Sequence, residues 1–436
     1  MADFARSTDP AVQRQLDRLG SPIYSVDVLG LDRILALLDR LGRPHDRLPP
    51  VFHVAGTNGK GSTCAFLRAA LEGAGHRVHM FTSPHLVRFN ERIRIAGKPI
   101  EDALLAPLLE EVLNAGEGID ATFFEVTTAA ALLVFARNPA DAVILEVGLG
   151  GRLDATNVVD APLVTAIASL GLDHQAYLGD SLTGIAAEKA GIAKRGVPLV
   201  TQSYPVEIAA RIADAATRAG ALLIARGRGW VVQPAGDRLY YRDAQGELVL
   251  PLPKLPGEHQ LLNAGLAIAM LRHQSLLAIP PIAFAEAMGR TDWPARLQRL
   301  ASGALIERLP EGSELWIDGG HNPSAAQLVA AHARAAWRDR LPLTLIFASL
   351  KAKDAAAILA PFRAIAAEVR TLPIPGHDSR DPDELAGLAR ELGFTATAHS
   401  SLDQALAAIT APTRVLVFGS LYLAGTALSL DGSLPD

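Results

Sequence analysis

The sequence predicts an α/β protein of two successive domains, each a mostly parallel sheet covered by helices. Three observations carry this. From residue 26 onward, helical periodicity alternates with short apolar runs that end in glycine or a polar residue, the pattern of buried parallel strands. One such run leads directly into a glycine-rich turn and a helix start. A break at Thr291-Asp292-Trp293-Pro294 then precedes a second alternating series, so the domains are expected at 1–294 and 295–436.

In the first domain the predicted strands are Val51 to Ala55, Val78 to Thr82, Ala142 to Val147, Leu163 to Ala168 and Pro198 to Gln202. Helices lie between them; in Ser62 to Gly73, for example, Phe66, Leu67, Ala70 and Leu71 share one face. Residues 222 to 252 change character, and Trp230 to Val232, Leu239-Tyr240 and Leu248-Val249 read as a small antiparallel patch appended to this domain. The second domain is expected to be smaller and Rossmann-like, with strands at Leu315 to Ile317, Leu343 to Ala348, Val369 to Leu372 and Val415 to Phe418.

The segment Val51 to Ser62 is the strongest chemical signal. A strand, a turn containing Gly56, Thr57, Asn58, Gly59 and Lys60, and a helix beginning near Gly61-Ser62 make a P-loop NTPase-like phosphate cradle, because free N–H groups at a helix start favour an anion. Lys60 can reach the β- and γ-phosphates of a nucleotide, and Ser62 can ligate Mg²⁺. The general spacing G-x-x-x-x-G-K-[ST] is not met literally: Val54 holds the first glycine position and Gly61 follows the lysine. Glu146 ends an apolar run, where a carboxylate faces the ligand crevice and can hold Mg²⁺ or simply stand at the surface. Asp173-His174 follow another strand in the same way. Lys189, read by periodicity alone, is a solvated helical lysine.

Composition removes several classes. The single cysteine, Cys64, excludes an intrachain disulfide and a cysteine-rich zinc site. A net charge of -5 with scattered lysines and arginines leaves no footprint for nucleic acid. The start MADFARSTDP lacks the basic and then apolar course of a secretory signal, and the apolar runs are broken early, so a cytoplasmic protein with no membrane span is expected; a monomer is expected separately.

Longer motifs extend the phosphate loop in both directions: Gly30-Leu31-Asp32-Arg33-Ile34, Ser83-Pro84-His85-Leu86, Asn90-Glu91-Arg92, Thr122-Phe123-Phe124-Glu125, LEVGLGGRLDATN, Leu172-Asp173-His174, Glu188-Lys189-Ala190-Gly191-Ile192 and Asp318-Gly319-Gly320-His321-Asn322-Pro323. In this order, over nearly the whole chain, they resemble the folylpolyglutamate synthase and dihydrofolate synthase family of the Mur ligase superfamily. GTNGKGS is the form of phosphate loop similar to that family's.

The resemblance implies an ADP-forming ligase that joins L-glutamate to dihydropteroate and to reduced folates through an acyl phosphate. It implies that Thr57, Asn58, Gly59, Lys60, Gly61, Ser62, Asn263, Arg296 and Asp318 serve ATP. Mg²⁺, as two ions, would be held by Ser62, Ser83, Glu146, His174 and a carbamylated Lys189. The chemistry agrees: an ammonium about 4 Å from a divalent ion is repelled by about 8 kcal/mol at an effective dielectric near 20, whereas a carbamate offers an oxygen ligand. Thr122, Phe124 and Asp154 resemble pterin contacts, since a flat heteroaromatic ring suits an aromatic face and its polar edge suits a carboxylate and a hydroxyl. On the residues alone they read equally as core and loop positions. Arg92, His321 and Ser420 are candidates for glutamate, and Lys60, Lys189 and His321 for the chemistry itself.

Two positions depart from the family pattern. Ala295 replaces the glycine of the linker motif before Arg296, which bears on hinge geometry, and Gly320 replaces the alanine of D-G-A-H-N-P, which is expected to be harmless. Three other readings stand beside the bifunctional one: a monofunctional folylpolyglutamate synthase, a peptidoglycan Mur ligase, and a nucleotide-switched binding protein without ligase activity. The second normally has a sizeable domain before its phosphate loop, where only about fifty residues lie here.

Overall fold

The computed structural model describes residues 5–20 and 29–435. The first four residues of the segment read for a secretory signal lie outside that range. Two compact units are present: residues up to Lys254 together with His259–Asp292, and Leu255–Glu258 together with Trp293–Pro435.

The first unit is built on an eight-stranded sheet. Its strands are β1 (Val51–Ala55), β2 (Val78–Phe81), β3 (Ile93–Ile95), β4 (Lys98–Pro99), β5 (Ala142–Glu146), β6 (Val164–Ile167), β7 (Pro198–Thr201) and β8 (Leu222–Ala225), in the order β4-β3-β2-β5-β1-β6-β7-β8. Pairing is parallel from β2 through β8, while β3 and β4 add an antiparallel edge. β1 and β5 are buried along their whole length, which is why they read as apolar runs interrupted only by His53 and the terminal Glu146. A large core lies between the sheet and helices Pro10–Leu19, Asp32–Arg40, Asp102–Ala115 and Phe123–Arg137. Ile167, Leu199, Ile208 and Ile212 belong to another, built with helices Leu182–Ala190 and Val206–Ala219.

The antiparallel patch is a three-stranded sheet of β9 (Trp230–Ala235), β10 (Arg238–Asp243) and β11 (Gly246–Pro251). It does not begin at residue 222 as the change of composition suggested. Leu222–Ala225 instead pairs in parallel with β7 as the outermost strand of the main sheet. Being exposed at that edge, Leu222 and Leu223 lack the burial pattern of an inner strand.

The second unit holds β12 (Gln298–Leu300), β13 (Glu314–Ile317), β14 (Leu343–Phe347), β15 (Ala366–Thr371), β16 (Thr395–Ala398) and β17 (Arg414–Phe418), ordered β12-β13-β17-β14-β15-β16. All neighbours are parallel except β12 and β13. β12 and β16 were not anticipated: one is three residues long and the other alternates small and polar residues. No helix among the described residues is long and apolar enough to cross a membrane.

Candidate functional site

In the first unit the chain turns to opposite sides of β1, since β5 and β2 lie on one side and β6 on the other. Open α/β sheets bind ligands at such a switch point, beyond the carboxyl ends of the strands. The loops after β5, β1 and β6 meet there. Thr57 and Asn58 donate their backbone N–H groups to Ser169 O at 2.7 and 3.2 Å, and the Thr57 hydroxyl donates to Gly171 O at 3.0 Å.

The turn ends at Gly59, which has φ 82° and caps helix Lys60–Gly73 without a side-chain cap. First-turn N–H groups are thereby left pointing outward, the arrangement that receives a phosphate. The predicted helix began two residues late, at Ser62, because glycine at 61 weakens the local signal. Lys60 folds back over the turn: its ammonium donates to Gly56 O at 3.2 Å and lies 3.9 Å from the Glu146 carboxylate. Ser62, in the first turn, is 1% exposed. Asn263, on helix Glu258–Arg272, lies against Gly59, and its amide donates to Gln260 Oε1 at 3.0 Å.

Lys189 is not the solvated helical lysine of the periodicity reading. Helix Leu182–Ala190 packs so that the residue is 5% exposed. Burial pushes its ammonium down to about 7 and Lys60 reinforces this, while Asp154 and Asp173 oppose it. The loop after β5 fits closely against this helix: a β-carbon on Gly151 would lie 2.7 Å from Glu188 O, and Arg152 N donates to the same oxygen at 2.8 Å.

Asp154 is 3% exposed and organises that loop. Its Oδ2 accepts from Leu149 N at 2.8 Å, and its Oδ1 accepts from Thr156 N at 3.0 Å and the Thr156 hydroxyl at 2.5 Å. Burial nevertheless moves its carboxyl upward. The Phe124 ring lies directly over Gly148, where any side chain would collide with it. Thr122 caps helix Phe123–Arg137, accepting from Glu125 N at 3.2 Å, while Glu125 accepts from Thr122 N at 2.6 Å and is gripped by both arms of Arg33 at 3.0 Å. The Arg33–Glu125 clamp was not anticipated, because 92 residues separate its members.

Ser83 sits half-buried in the loop after β2. Further along it, Arg92 is 1% exposed, donates to His85 Nδ1 at 2.9 Å and lies over the Phe89 and Phe123 rings. His174 adopts φ 52° after β6, with its N–H donated to Asp173 Oδ1 at 2.8 Å. Among the described residues no group of three or more His, Cys, Asp and Glu is gathered to hold a metal. The predicted set contains only two such residues, Glu146 and His174, and depends otherwise on hydroxyls and Lys189. Ser62, Ser83 and Glu146 offer the hard oxygens Mg²⁺ takes; Lys189 fits that set as a carbamate and not as an ammonium.

In the second unit, β13 and β17 are parallel neighbours and each runs into a helix. Asp318 is 4% exposed and ties two turns, accepting from Leu297 N at 2.9 Å and Gly320 N at 2.8 Å. Burial raises its carboxyl, with Arg296 the first opposing charge. Ala295 has φ 56°, the left-handed conformation that explains a glycine in the family motif. Arg296 lies over Gly319, and His321 Nδ1 is 3.2 Å from Gly319 O. Ser420 caps helix Leu421–Asp431, accepting from Tyr422 N at 3.1 Å, and Gly419 N donates to Gly320 O at 3.1 Å, so the His321 and Ser420 turns are adjacent. A β-carbon at Gly320 would stand 2.7 Å from the Phe418 ring, so glycine there is matched to its neighbour.

A phosphate-binding turn at the switch point of one parallel sheet, with a second α/β unit following, defines a nucleotide-binding protein of the Mur ligase type. No protein-family model matches the chain. It is 36% identical over 398 residues to the dihydrofolate synthase/folylpolyglutamate synthase of Escherichia coli K12, covering 90% of this chain and 89% of that one. The structure of E. coli FolC in complex with DHPP and ADP superposes with a TM-score of 0.86 at 33% identity, over 97% of this chain and 98% of that one. A bifunctional folylpolyglutamate synthase/dihydrofolate synthase with Mn, AMPPNP and L-glutamate bound gives a TM-score of 0.84 at 33% identity, over 98% and 99%. The chain belongs to the dihydrofolate synthase/folylpolyglutamate synthase family.

Proposed function

We propose that this protein is a cytoplasmic ATP-dependent ligase that joins L-glutamate to dihydropteroate and to the γ-carboxyl of tetrahydrofolate glutamates. The observation that carries the reading is the Lys60 ammonium folded across an uncapped helix start, beside Glu146. Thr57, Asn58, Gly59, Lys60, Gly61 and Ser62 bind the nucleotide phosphates, with Asn263, Arg296 and Asp318 as further contacts. Lys60 neutralises charge that spreads over the γ-phosphoryl group as it passes to the acceptor carboxylate. The acyl phosphate so formed is attacked by the glutamate amine, and phosphate leaves. No protein nucleophile is required.

Ser62, Ser83, Glu146, His174 and carbamylated Lys189 would hold Mg²⁺, whose contribution is to offset phosphate charge. An amine near pKa 7 is partly neutral at physiological pH and can add to CO₂, which supports the carbamate. Phe124 supplies an aromatic face for the pterin, and Thr122 and Asp154 its polar edge. Arg92, His321 and Ser420 are assigned to glutamate carboxylates, with His321 also placed at the chemistry.

Purified protein, ATP, Mg²⁺ and radiolabelled glutamate, offered dihydropteroate or tetrahydrofolate separately, test the reading. ADP, phosphate and a labelled product are expected with each acceptor. Product from tetrahydrofolate alone reduces the enzyme to a monofunctional synthase, and ADP release with neither acceptor removes the ligase assignment.

A further inference from the structure

β1 is an apolar, fully buried strand with one exception: His53, 1% exposed at its centre. Its Nε2 lies 2.8 Å from the hydroxyl of Thr156, which is itself fully buried and 103 residues away in sequence. That hydroxyl lies 2.5 Å from Asp154 Oδ1. The direction of each bond follows from the protons available. Leu149 N and Thr156 N can only donate, so the carboxylate is an acceptor on both oxygens. The threonine hydroxyl has a single proton, which it gives to Asp154. Its lone pair must then receive from His53, which therefore carries hydrogen on Nε2.

Leu149 N, Thr156 N and the Thr156 hydroxyl, with the backbone of Gly148 beside them, hold the carboxylate in one fixed orientation. The turn that supplies Leu149 also carries Gly148, over which Phe124 lies. We propose that His53 and Thr156 are positioning residues that aim Asp154 at the pterin, so that they serve dihydropteroate ligation more than glutamate addition to tetrahydrofolates. This rests on the assignment of Thr122, Phe124 and Asp154 to the pterin. The smaller acceptor depends on its ring for orientation; a folate that already carries glutamate has additional carboxylates to hold it.

Thr156→Val keeps the volume and removes the relay, while Thr156→Ser keeps it. With Thr156→Val, KM for dihydropteroate is expected to rise by about tenfold, the usual loss for one hydrogen bond to a charged group, with kcat little changed. Turnover of tetrahydrofolate should stay within about twofold, and Thr156→Ser should restore the wild-type dihydropteroate KM. Equal losses on both acceptors, or no loss on either, overturn the proposal. Nitrogen-15 histidine spectra of the whole protein give a readout independent of turnover: His53 should be neutral with its proton on Nε2, and a proton on Nδ1 overturns the relay. Wild-type protein inert toward dihydropteroate would instead overturn the pocket assignment and the acceptor preference together, leaving the tautomer to decide the relay by itself.

Discussion

The side-chain oxygen of Asn263 stands against the α-carbon of Gly59, in the space where a β-carbon would have to go. Gly59 is also in the left-handed region at φ 82°, so two separate constraints demand glycine at the end of the phosphate turn. Gly59→Ala should lose stability by more than the roughly 1–2 kcal/mol of the backbone penalty alone. Adding Asn263→Ala should recover the part due to collision and leave the part due to φ. Denaturant unfolding of the single and double variants separates the two.

Lys60→Ala removes the cation that spans the turn without opening a cavity in the core, since the side chain lies at the rim of the site. ADP release should fall by at least about a hundredfold. Thermal unfolding without nucleotide should shift by only a few degrees. Near-normal turnover in this variant would remove the phosphate-loop assignment.

Lys189 titrates near 7 in the fold against 10.5 in its ordinary state. Below 7 the amine is charged in folded and unfolded chains alike; between 7 and 10.5 only the unfolded chain keeps the proton, so this residue makes stability rise with pH across that window. The neutral amine also becomes more abundant through 7. Depleting bicarbonate should therefore slow the enzyme more at pH 6 than at pH 8, and Lys189→Ala should abolish the bicarbonate dependence along with most activity. Rates measured in degassed and bicarbonate-supplemented buffer check this.

His53 is held neutral by burial, with its folded pKa pushed down to about 3 from 6.5. Above 6.5 neither state takes a proton and the residue adds no pH dependence. As pH falls below 6.5 the unfolded chain binds a proton that the folded chain refuses, so stability declines progressively toward pH 3. From pH 7 to pH 5 the loss from this residue is about 2 kcal/mol. Urea unfolding at the two pH values should show a difference smaller by about that amount in His53→Gln than in wild type.

Ala295 carries a β-carbon at φ 56° in a buried turn whose carbonyl accepts from Gly319 N at 2.9 Å. A buried Ala→Gly change at an ordinary backbone position costs about 1 kcal/mol. Here relief of the left-handed penalty should offset it, leaving Ala295→Gly at or slightly above wild-type stability. A loss of about 1 kcal/mol or more in denaturant unfolding would show that the turn is relaxed with alanine.

The sequence by itself determined what neighbouring residues build together. Strand β1, the glycine turn, Lys60 and the following helix occupy a short contiguous stretch, and Asp318 to Pro323 form another, so their local geometry was readable without coordinates. Tertiary structure decided what depends on distant partners: the burial that converts Lys189 from a surface cation into a half-neutral amine, the placing of Asn263 against Gly59, the Arg33–Glu125 clamp, and the line from His53 to Asp154. It also decided that residues 222–225 close the large sheet rather than begin the small one. The physical reason is that turn geometry and helix starts are governed by local dihedral angles and nearest-neighbour hydrogen bonds, whereas desolvation and side-chain proximity are set only when separate elements pack.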